Sequence, residues 1–303
     1  MNKPSVCVIM SSYNGEKYIR DQIDSILRQK DVDIQLFIRD DGSNDGTKKI
    51  ISEYLSERVI LREGENVGAK SSFILATIEA PEADFYAFSD QDDIWDEDKL
   101  SSAIEKISQH IHETDCILYC GKTRLVDSEL RVLGEGRSYS ETSRQFLCGE
   151  VQAAAGCTMV FTSKIKKMIE KHKPVVYPMH DAWVSNLCLA LGGTIIYDNV
   201  PHISYRQHEN NAVGGSRGAL ASVQRRIRFY QKMGKKYHTR MYKELAEAYQ
   251  SDMPKENQER CGNVCSYDKS IRNKVRLLRD RKFWHGRRRW KAEIFVLILL
   301  NQY

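Results

Sequence analysis

Several features that identify common protein classes are missing from this sequence of 303 residues. It contains no Gly-rich phosphate loop of the Walker or dinucleotide type, so ATPases and NAD-dependent enzymes lack a supporting motif. The apolar run at residues 294–300 covers seven positions, whereas a membrane-spanning helix needs roughly 20. We expect no signal peptide, because Met1-Asn2-Lys3-Pro4 leads directly into an apolar strand, and we therefore expect a cytoplasmic protein.

The eight cysteines also lack a metal-binding pattern. Cys261 and Cys265 form a C-x-x-x-C pair, but no second pair or nearby histidine completes a zinc site, and we assign them no chemistry. Four others occupy apolar contexts that favour reduced, buried thiols: Cys7, Cys116, Cys157 and Cys188. With 41% hydrophobic residues, the chain is long enough to bury an α/β domain and an appendage.

What the N-terminal part does contain is an alternation of apolar runs of strand length with segments of helical spacing. The strand-like runs are residues 6–10, 34–38, 59–61 and 85–88. This alternation on short loops predicts a parallel, doubly wound α/β sheet. Because the loops after such strands meet where ligands bind, we expect residues 11–14, 40–45 and 90–93 to share one crevice.

Residues 88–95, Phe-Ser-Asp-Gln-Asp-Asp-Ile-Trp, place three carboxylates within four positions at the end of a predicted strand. Carboxylates this close repel one another unless a cation lies between them. Mg²⁺ and Mn²⁺ take oxygen ligands and leave coordination sites open for phosphate oxygens. We therefore favour metal–diphosphate binding for Asp90 and Asp92 over an acidic turn, whereas residues 96–98 are expected only to cap the next helix.

Three ordered blocks carry a family resemblance that spans residues 5–215. They are Val8-Ile9-Met10-Ser11-Ser12-Tyr13-Asn14, Asp40-Asp41-Gly42-Ser43-x-Asp45 and Ser89-Asp90-Gln91-Asp92-Asp93-Ile94-Trp95. In this order, each after a strand, they resemble the inverting family 2 glycosyltransferases of the GT-A fold. The resemblance implies a Rossmann-like, mostly parallel sheet with helices on both faces. We expect this catalytic domain over residues 1–216 and a basic, mainly helical extension over residues 217–303.

The resemblance also implies which residues contact the nucleotide. Asp41 matches the carboxylate that reads the base. Because a carboxylate only accepts hydrogen bonds, it can select uracil or thymine, whose N3–H donates, over cytosine. Ser11, Tyr13 and Asn14 match base- and ribose-contacting positions. For Tyr13, a half-buried aromatic side chain at a strand end is an equally good interpretation.

Contacts with the diphosphate are implied in the same way. Asp92 matches the metal ligand of the family, and Asp90 matches a ribose or metal-water contact. The Mg²⁺ or Mn²⁺ would neutralise the departing diphosphate. Further along, Arg206 could pair with diphosphate oxygens, and His208 could be an additional metal ligand. A histidine in a polar loop is otherwise simply solvated.

The proton acceptor for the sugar transfer is expected near residue 181. An apolar helical pattern begins at Trp183, so His180 and Asp181 stand at the start of a helix. The family places its base there, usually in an acidic pair, whereas this chain has His-Asp. We favour Asp181 as the base and keep His180 as the other candidate. An N-cap without chemistry is the alternative for Asp181.

Three short motifs bear on the identity of the donor sugar. Ser-Asp-Gln-Asp-Asp-Ile-Trp, His-Asp-x-Trp and Arg-Gln-His-x-x-Asn look most like bacterial rhamnosyltransferases of cell-surface polysaccharide assembly, which use dTDP-L-rhamnose. No Gln-x-x-Arg-Trp signature is present, which disfavours a processive synthase. A UDP-hexose or UDP-N-acetylhexosamine donor is an alternative. Two other classes also stay open: a nucleotidyltransferase and a non-catalytic nucleotide-sugar-binding protein.

Charge is distributed unevenly along the chain. Residues 217–303 contain 22 Lys and Arg against 8 Asp and Glu, a net charge of +14, and the whole chain carries +5, so residues 1–216 carry −9. Basic and apolar residues interleave in this tail, which suits the anionic cytoplasmic face of a membrane, where polyprenyl-diphosphate-linked saccharide acceptors reside. The alternatives are a helical cover on the catalytic domain and nucleic-acid binding, for which no recognition motif is present. On the membrane interpretation, deleting residues 271–303 leaves donor hydrolysis intact.

Overall fold

The computed structural model describes residues 3–139, 142–143, 154–207, 228–280 and 288–303. Its strands are β1 (Ser5–Ser12), β2 (Asp33–Asp40), β3 (Val59–Glu63), β4 (Phe85–Ser89), β5 (Ile94–Trp95), β6 (Ile117–Val126), β7 (Val132–Glu135), β8 (Thr142–Ser143), β9 (Met159–Thr162) and β10 (Thr194–Arg206). Its helices are α1 (Ile19–Leu27), α2 (Thr47–Ser52), α3 (Ala69–Glu79), α4 (Lys99–Ser108), α5 (Ser163–Lys171), α6 (His180–Ala190), α7 (Tyr237–Tyr249), α8 (Lys255–Ser266), α9 (Ile271–Arg279) and α10 (Arg288–Leu299).

The strands form one sheet in the order β3-β2-β1-β4-β9-β6-β10-β5, with β7 paired to β6 and β8 to β10. The four strands β3, β2, β1 and β4 are parallel throughout. Strand β9 runs antiparallel between β4 and β6, and β10 is again parallel to β6. The predicted mixed α/β, mostly parallel architecture is therefore confirmed.

Two apolar layers cover the sheet, one on each face. Along β1, Cys7 and Ile9 face the layer that contains α3, α5 and α6, while Val6, Val8 and Met10 face the layer of α1, α2 and α4. The alternation follows from the period of two in a strand, and burial on both faces explains the unbroken apolar run. Full burial of each such aliphatic side chain contributes about 1.5–3 kcal/mol.

Strand β10 extends beyond the four residues, Thr194 to Tyr197, that the sequence alone predicts as a strand. It continues to Arg206. Its pairing with β6 shifts register on either side of Pro201, and the last part pairs antiparallel with β5. Bulges absorb a proline that would otherwise interrupt a ladder. The extension matters because it brings the end of β10 beside the acidic residues that follow β4.

Helices α7 to α10 pack on the α/β part of the chain as a helical cover. Tyr242, Leu245 and Tyr249 of α7 share one core with Trp183 of α6. From α8, the Asn257 side chain donates to the carbonyls at the end of α6, with Nδ2–O distances of 3.1 and 3.0 Å. The proposed boundary between residues 216 and 217 lies outside the described residues.

The cover changes one expectation about the tail. Leu277, Ile294 and Tyr303 are buried in the shared core. Deleting residues 271–303 would therefore expose apolar surface, and we no longer expect the deletion to leave the catalytic domain undisturbed. Among the described residues, no helix is both long and apolar enough to cross a membrane.

Candidate active site

Hydrogen bonds tie together the loops that follow β1, β2 and β4. Gln91 accepts from the Tyr13 backbone N–H at 2.8 Å and donates to the Tyr13 carbonyl at 3.0 Å. Asn14 N–H donates to Ser43 Oγ, and Asn44 N–H donates to Asn14 Oδ1, each at 2.9 Å. The three loops therefore lie side by side in one crevice at the edge of the sheet, as the alternation of strands and helices predicted.

At the β2 end of the crevice, Asp41 is buried and held by several donors. The Arg39 guanidinium forms an ion pair with it, and the backbone N–H groups of Val67 and Gly68 donate to it at 3.1 and 2.9 Å. Arg39 also donates to the Ser72 hydroxyl at 2.9 Å. Three donor groups fix the carboxylate in one orientation, which suits a group that reads a base by hydrogen bonding.

Arg39 was missed in the sequence, although a signal existed. It is a charged residue inside an apolar strand whose two faces are both buried, and such a residue needs a buried partner. The Ser72 hydroxyl also accepts a hydrogen bond from Ser11 at 2.6 Å, so Ser11 joins the same network. Beside it, the Tyr13 side chain is 45% exposed, which leaves its ring accessible from the crevice.

The acidic residues after β4 repel one another strongly. Burial, followed by the charges of Asp92 and Asp181, raises the pKa of Asp90 to about 7. Burial, followed by the charges of Asp90 and Asp92, raises the pKa of Asp93 well above its usual value. Asp93 Oδ1 accepts from the Arg206 backbone N–H at 3.1 Å, while its Oδ2 is buried with no N–H or O–H partner among the described residues.

This arrangement fits a divalent cation. One oxygen each of Asp90 and Asp93 and the sulfur of Cys157 all lie within 4.8 Å of one another. Burial raises the pKa of the Cys157 thiol well above its usual value, so the thiol stays protonated and only the carboxylates suit a hard ion. The half-buried Asp92 belongs to the same loop but not to this trio. His208, the other predicted ligand, lies outside the described residues.

Residues 96–98 are separate from this cluster, as expected. The capping role predicted for them is wrong in one respect, because Asp98 occupies the N-cap position of α4 without a side-chain capping bond. Its carboxylate instead lies 3.1 Å from His202 Nδ1, and Asp96 pairs with Arg124 at 2.9 Å. Local pairing therefore satisfies both carboxylates at the surface.

The Arg206 guanidinium is hydrogen-bonded to other groups of the protein. Its guanidinium donates to the carbonyls of Asp92 and Ser128 at 2.9 and 2.8 Å and to Asp21 Oδ2 at 3.3 Å. It also lies 4.4 Å from the centre of the Tyr18 ring. A contact with diphosphate would require some of these bonds to break. The geometry therefore favours a positioning role, in which Arg206 holds the backbone of the acidic loop.

The two candidates for the base have opposite environments. The His180 ring stacks on Phe73 with 3.9 Å between centroids and meets the edge of Phe88 at 4.8 Å. Neither of its nitrogens has a hydrogen-bond partner among the described residues, and burial lowers its pKa to about 3. Such an imidazole is a weak base inside an apolar core. His180 is therefore placed as a packing residue.

Asp181 faces the acidic loop. Burial raises its pKa to about 6, and its charge in turn raises the pKa of Asp90. Met179, not Asp181, occupies the N-cap position of α6, and the Asp181 carboxylate accepts from the adjacent Ala182 N–H at 2.6 Å. The geometry favours Asp181 over His180 as a proton acceptor, because Asp181 is half-buried beside the crevice and basic near neutral pH.

Lys99 is a buried group that gave no signal in the sequence. Its ammonium lies 3.5 Å from the centre of the Trp95 ring and has no hydrogen-bond acceptor among the residues described. Burial lowers its pKa to about 7, although the nearby Asp93 and Cys157 side chains act in the opposite direction. Lys99 thus lies beside the acidic loop but is only partly protonated at neutral pH.

The curled, mostly parallel sheet with loops gathered at one edge defines the GT-A class of folds. A solved structure of residues 1–349 of TarS from S. aureus shares it, with a TM-score of 0.58, 16% identity and coverage of 97% of this chain and 80% of that one. TarS has also been solved in complex with UDP-GlcNAc.

Sequence comparison gives the family. The model of glycosyl transferase family 2 matches residues 7–168. The dTDP-rhamnosyl transferase RfbG of Shigella flexneri is 30% identical over 312 residues, covering 96% of this chain and 98% of RfbG. The chain belongs to glycosyl transferase family 2, and the predicted family is confirmed. WfgD of Escherichia coli, a UDP-Glc:alpha-D-GlcNAc-diphosphoundecaprenol beta-1,3-glucosyltransferase, is 33% identical over 99 residues, or 33% of this chain and 39% of WfgD.

Proposed function

We propose that this glycosyltransferase moves L-rhamnose from dTDP-L-rhamnose onto a lipid-linked saccharide in cell-surface polysaccharide assembly. The observation that carries the proposal is the single crevice in which Asp41, the acidic loop at residues 90–93 and Asp181 meet. The donor is supported by the near full-length similarity to RfbG, whose name specifies a dTDP-rhamnosyl transferase.

On the nucleotide side, Asp41 accepts the N3–H of thymine while the ion pair with Arg39 holds its carboxylate in place. Ser11, through Ser72, belongs to the same network. Tyr13 and Asn14 lie in the loop directly above it, with the Tyr13 ring available for stacking on the base. The hydroxyl, phenol and amide groups of this loop supply the remaining polar contacts to the ribose.

On the diphosphate side, Asp90, Asp92 and Asp93 would hold the Mg²⁺ or Mn²⁺. When bound, such an ion neutralises the charge that develops on the leaving diphosphate. Arg206 contributes indirectly, because its bonds to the Asp92 carbonyl and the Asp93 carboxylate fix the shape of the loop. The thiol of Cys157 stays neutral and fills space beside the ligands.

On the acceptor side, Asp181 removes the proton of the attacking hydroxyl. The hydroxyl oxygen then forms a bond to the anomeric carbon while the bond to the diphosphate breaks, in one displacement that inverts the anomeric configuration. A carboxylate with a pKa of about 6 is ionised at neutral pH and is still basic enough to accept a proton in the transition state. His180 supports the helix start by packing.

The acceptor is proposed to be a polyprenyl-diphosphate-linked saccharide at the cytoplasmic face of the membrane. WfgD, by its name, acts on a sugar linked to diphosphoundecaprenol, which supports the class of acceptor. The +14 charge of residues 217–303 supports peripheral contact with anionic lipid.

A UDP-hexose or UDP-N-acetylhexosamine donor is the second candidate, favoured by the shared fold with TarS and its complex with UDP-GlcNAc. Thymine and uracil differ by one methyl group, so Asp41 serves either base. A nucleotidyltransferase and a non-catalytic binding protein are less well supported, because the crevice retains carboxylates on both the diphosphate and acceptor sides.

A donor screen tests the proposal. Purified protein is incubated with dTDP-L-rhamnose, UDP-glucose and UDP-N-acetylglucosamine, each with Mg²⁺, Mn²⁺ or EDTA, and nucleotide release is measured. We expect release from dTDP-L-rhamnose that depends on the metal. Preference for a UDP-sugar would replace the donor, and no release from any nucleotide sugar, even with a lipid-linked acceptor present, would contradict the proposed function.

A further inference from the structure

The last helix of the chain is apolar on two sides. On its inner side, Ile294 and Ile298 are buried in the core. On the opposite side, Val296 and Leu299 are 50% and 47% exposed, and Leu300 directly after the helix is 64% exposed. A helix that only covers a domain needs a single apolar face and a polar one. The second apolar face of α10 is therefore unexplained by packing.

A second exposed apolar stripe lies on α9. Ile271 and Val275 are one helical turn apart and are 83% and 38% exposed. Lys274 Nζ donates to the Leu299 carbonyl at 3.3 Å, which joins α9 to the end of α10 where the exposed leucines lie. The two stripes are named here the outer patch: Ile271, Val275, Val296, Leu299 and Leu300.

Positive charge lies beside the α9 part of the outer patch. Arg272, Arg276 and Arg279 are exposed on α9. An apolar stripe flanked by arginines is the pattern of a helix that lies in a membrane interface.

We propose that the outer patch docks on the surface of an anionic lipid bilayer, with its apolar side chains in the interface and the neighbouring arginines against lipid phosphates. The proposal deepens the membrane contact proposed above and rests on that function for its purpose. A second copy of this chain is a poorer occupant. A two-fold contact brings the same arginine-flanked patch of both copies together, which like-charge repulsion disfavours.

Docking at the outer patch would hold the catalytic domain in one orientation. The chain end after α10 is fixed to α7, because Thr239 N–H donates to the Tyr303 carbonyl at 3.3 Å. In turn, Tyr242 of α7 donates to Asn186 of α6 at 3.3 Å. Helix α6 begins beside Asp181. Packed helices thus connect the bilayer contact to the candidate base, so docking would fix the orientation of the crevice relative to the membrane.

The apolar contribution is tested by sedimentation of the full chain with vesicles of phosphatidylcholine containing phosphatidylglycerol. The triple variant Val296→Ser/Leu299→Ser/Leu300→Ser should bind at least about tenfold more weakly than wild type. The matched control is Val132→Ser/Leu133→Ser on β7, where the two side chains are 65% and 61% exposed. The control should bind as wild type does.

The charge contribution is tested with Arg272→Gln/Arg276→Gln/Arg279→Gln, which should lose about fivefold in affinity for each arginine removed. Raised salt and vesicles of pure phosphatidylcholine should weaken wild-type binding in the same direction. The control replaces three exposed lysines of the catalytic region by glutamine: Lys3, Lys49 and Lys167. Its binding should stay close to that of wild type.

Donor hydrolysis without vesicles is measured on every variant and should not change, which shows that the fold and the crevice are intact. Wild-type vesicle binding in both patch variants would overturn the docking proposal even in an active enzyme. A dimer in wild type that the apolar variant loses, seen by light scattering without lipid, would overturn it in favour of a second copy. Vesicle binding by a protein that transfers no sugar would contradict the proposed function and leave the docking standing.

Discussion

The crevice contains two kinds of carboxylate site. Asp41 is surrounded by donors, with the Arg39 guanidinium and the backbone N–H groups of residues 67–68 all directed at it. The acidic loop is the reverse case, because burial and mutual repulsion raise the pKa of Asp90 to about 7 and that of Asp93 well above its usual value. The first site is complete as folded, whereas the second is stabilised by any cation that enters it.

This difference suits the two sites to two tasks in the proposed reaction: selecting the base and binding a metal ion. A carboxylate that is already neutralised can select a base by hydrogen-bond pattern without attracting metal. The carboxylate cluster lies beside Lys99, and burial lowers the pKa of Lys99 to about 7, so the lysine neutralises little of the cluster's charge. The cluster therefore still attracts a divalent ion and, through that ion, a diphosphate. On the proposed function, the ion-paired Asp41 would read the base at one end of the crevice, and the acidic loop would bind the metal and the diphosphate at the other.

The strongest test of the acidic side is Asp92→Asn. We expect turnover to fall to the level of wild type in EDTA, while the melting temperature in EDTA rises because one repulsive charge is gone. Turnover and melting curves with and without Mg²⁺ or Mn²⁺ measure both effects. Asp98→Asn is the control, since Asp98 pairs with His202 outside the crevice. Normal turnover in Asp92→Asn, or full wild-type activity in EDTA, would contradict the metal role.

Asp181→Asn tests the acceptor side. Turnover should fall by about 10²–10⁴-fold, the usual contribution of a general base, with donor affinity nearly unchanged. Steady-state kinetics together with a direct measurement of nucleotide-sugar binding separates the two quantities. A loss of donor affinity as large as the loss of turnover would make Asp181 a binding residue and return His180 to consideration.

The third prediction tests the buried ion pair between Arg39 and Asp41. Arg39→Met removes the cation that pairs with the buried Asp41, so the free energy of unfolding should fall by about 3–5 kcal/mol. Adding Asp41→Asn to this variant should recover part of the loss, because no buried charge is left. Denaturant unfolding of both variants measures the cycle. Additive losses would show that the two side chains are not coupled.

The smallest effect expected is the pH dependence of turnover. Burial raises the pKa of Asp181 to about 6, so the ionised form that accepts a proton is lost as the pH falls through 6. With saturating metal and donor, turnover should be flat above that pH and fall about tenfold for each unit below it. A profile without a break between pH 5 and 7 would exclude Asp181 as the titrating base.

Local patterns predicted strands β1 to β4 and the polar loops that follow them. Strands β1 to β4 are buried on both faces and read as short apolar runs, and the polar loop after each one is visible in the chain. Their meeting in one crevice follows from parallel topology alone. For the same reason, Asp41 and residues 90–93 were placed in the right region from the sequence.

Long-range packing decided what the sequence did not predict. Arg206 was expected at the diphosphate, but its donors are used by Asp92, Ser128 and Asp21, which are far from it in the chain. The neutral state of His180 depends on Phe73 and Phe88, which come from other elements. No local spacing encodes such contacts.

The packing of His180 described above also limits how this family member can diverge. A Cβ atom on Gly156 would lie 2.5 Å from Nε2 of His180, closer than two such atoms can approach. Because the His180 ring is wedged against Phe73 and has no room to withdraw, a side chain at residue 156 is admissible only if residue 180 becomes smaller. The two positions form an epistatic pair, in which each single replacement is harmful in a background where the double replacement is tolerated. A natural relative that carries alanine at the first position should therefore carry a smaller residue at the second.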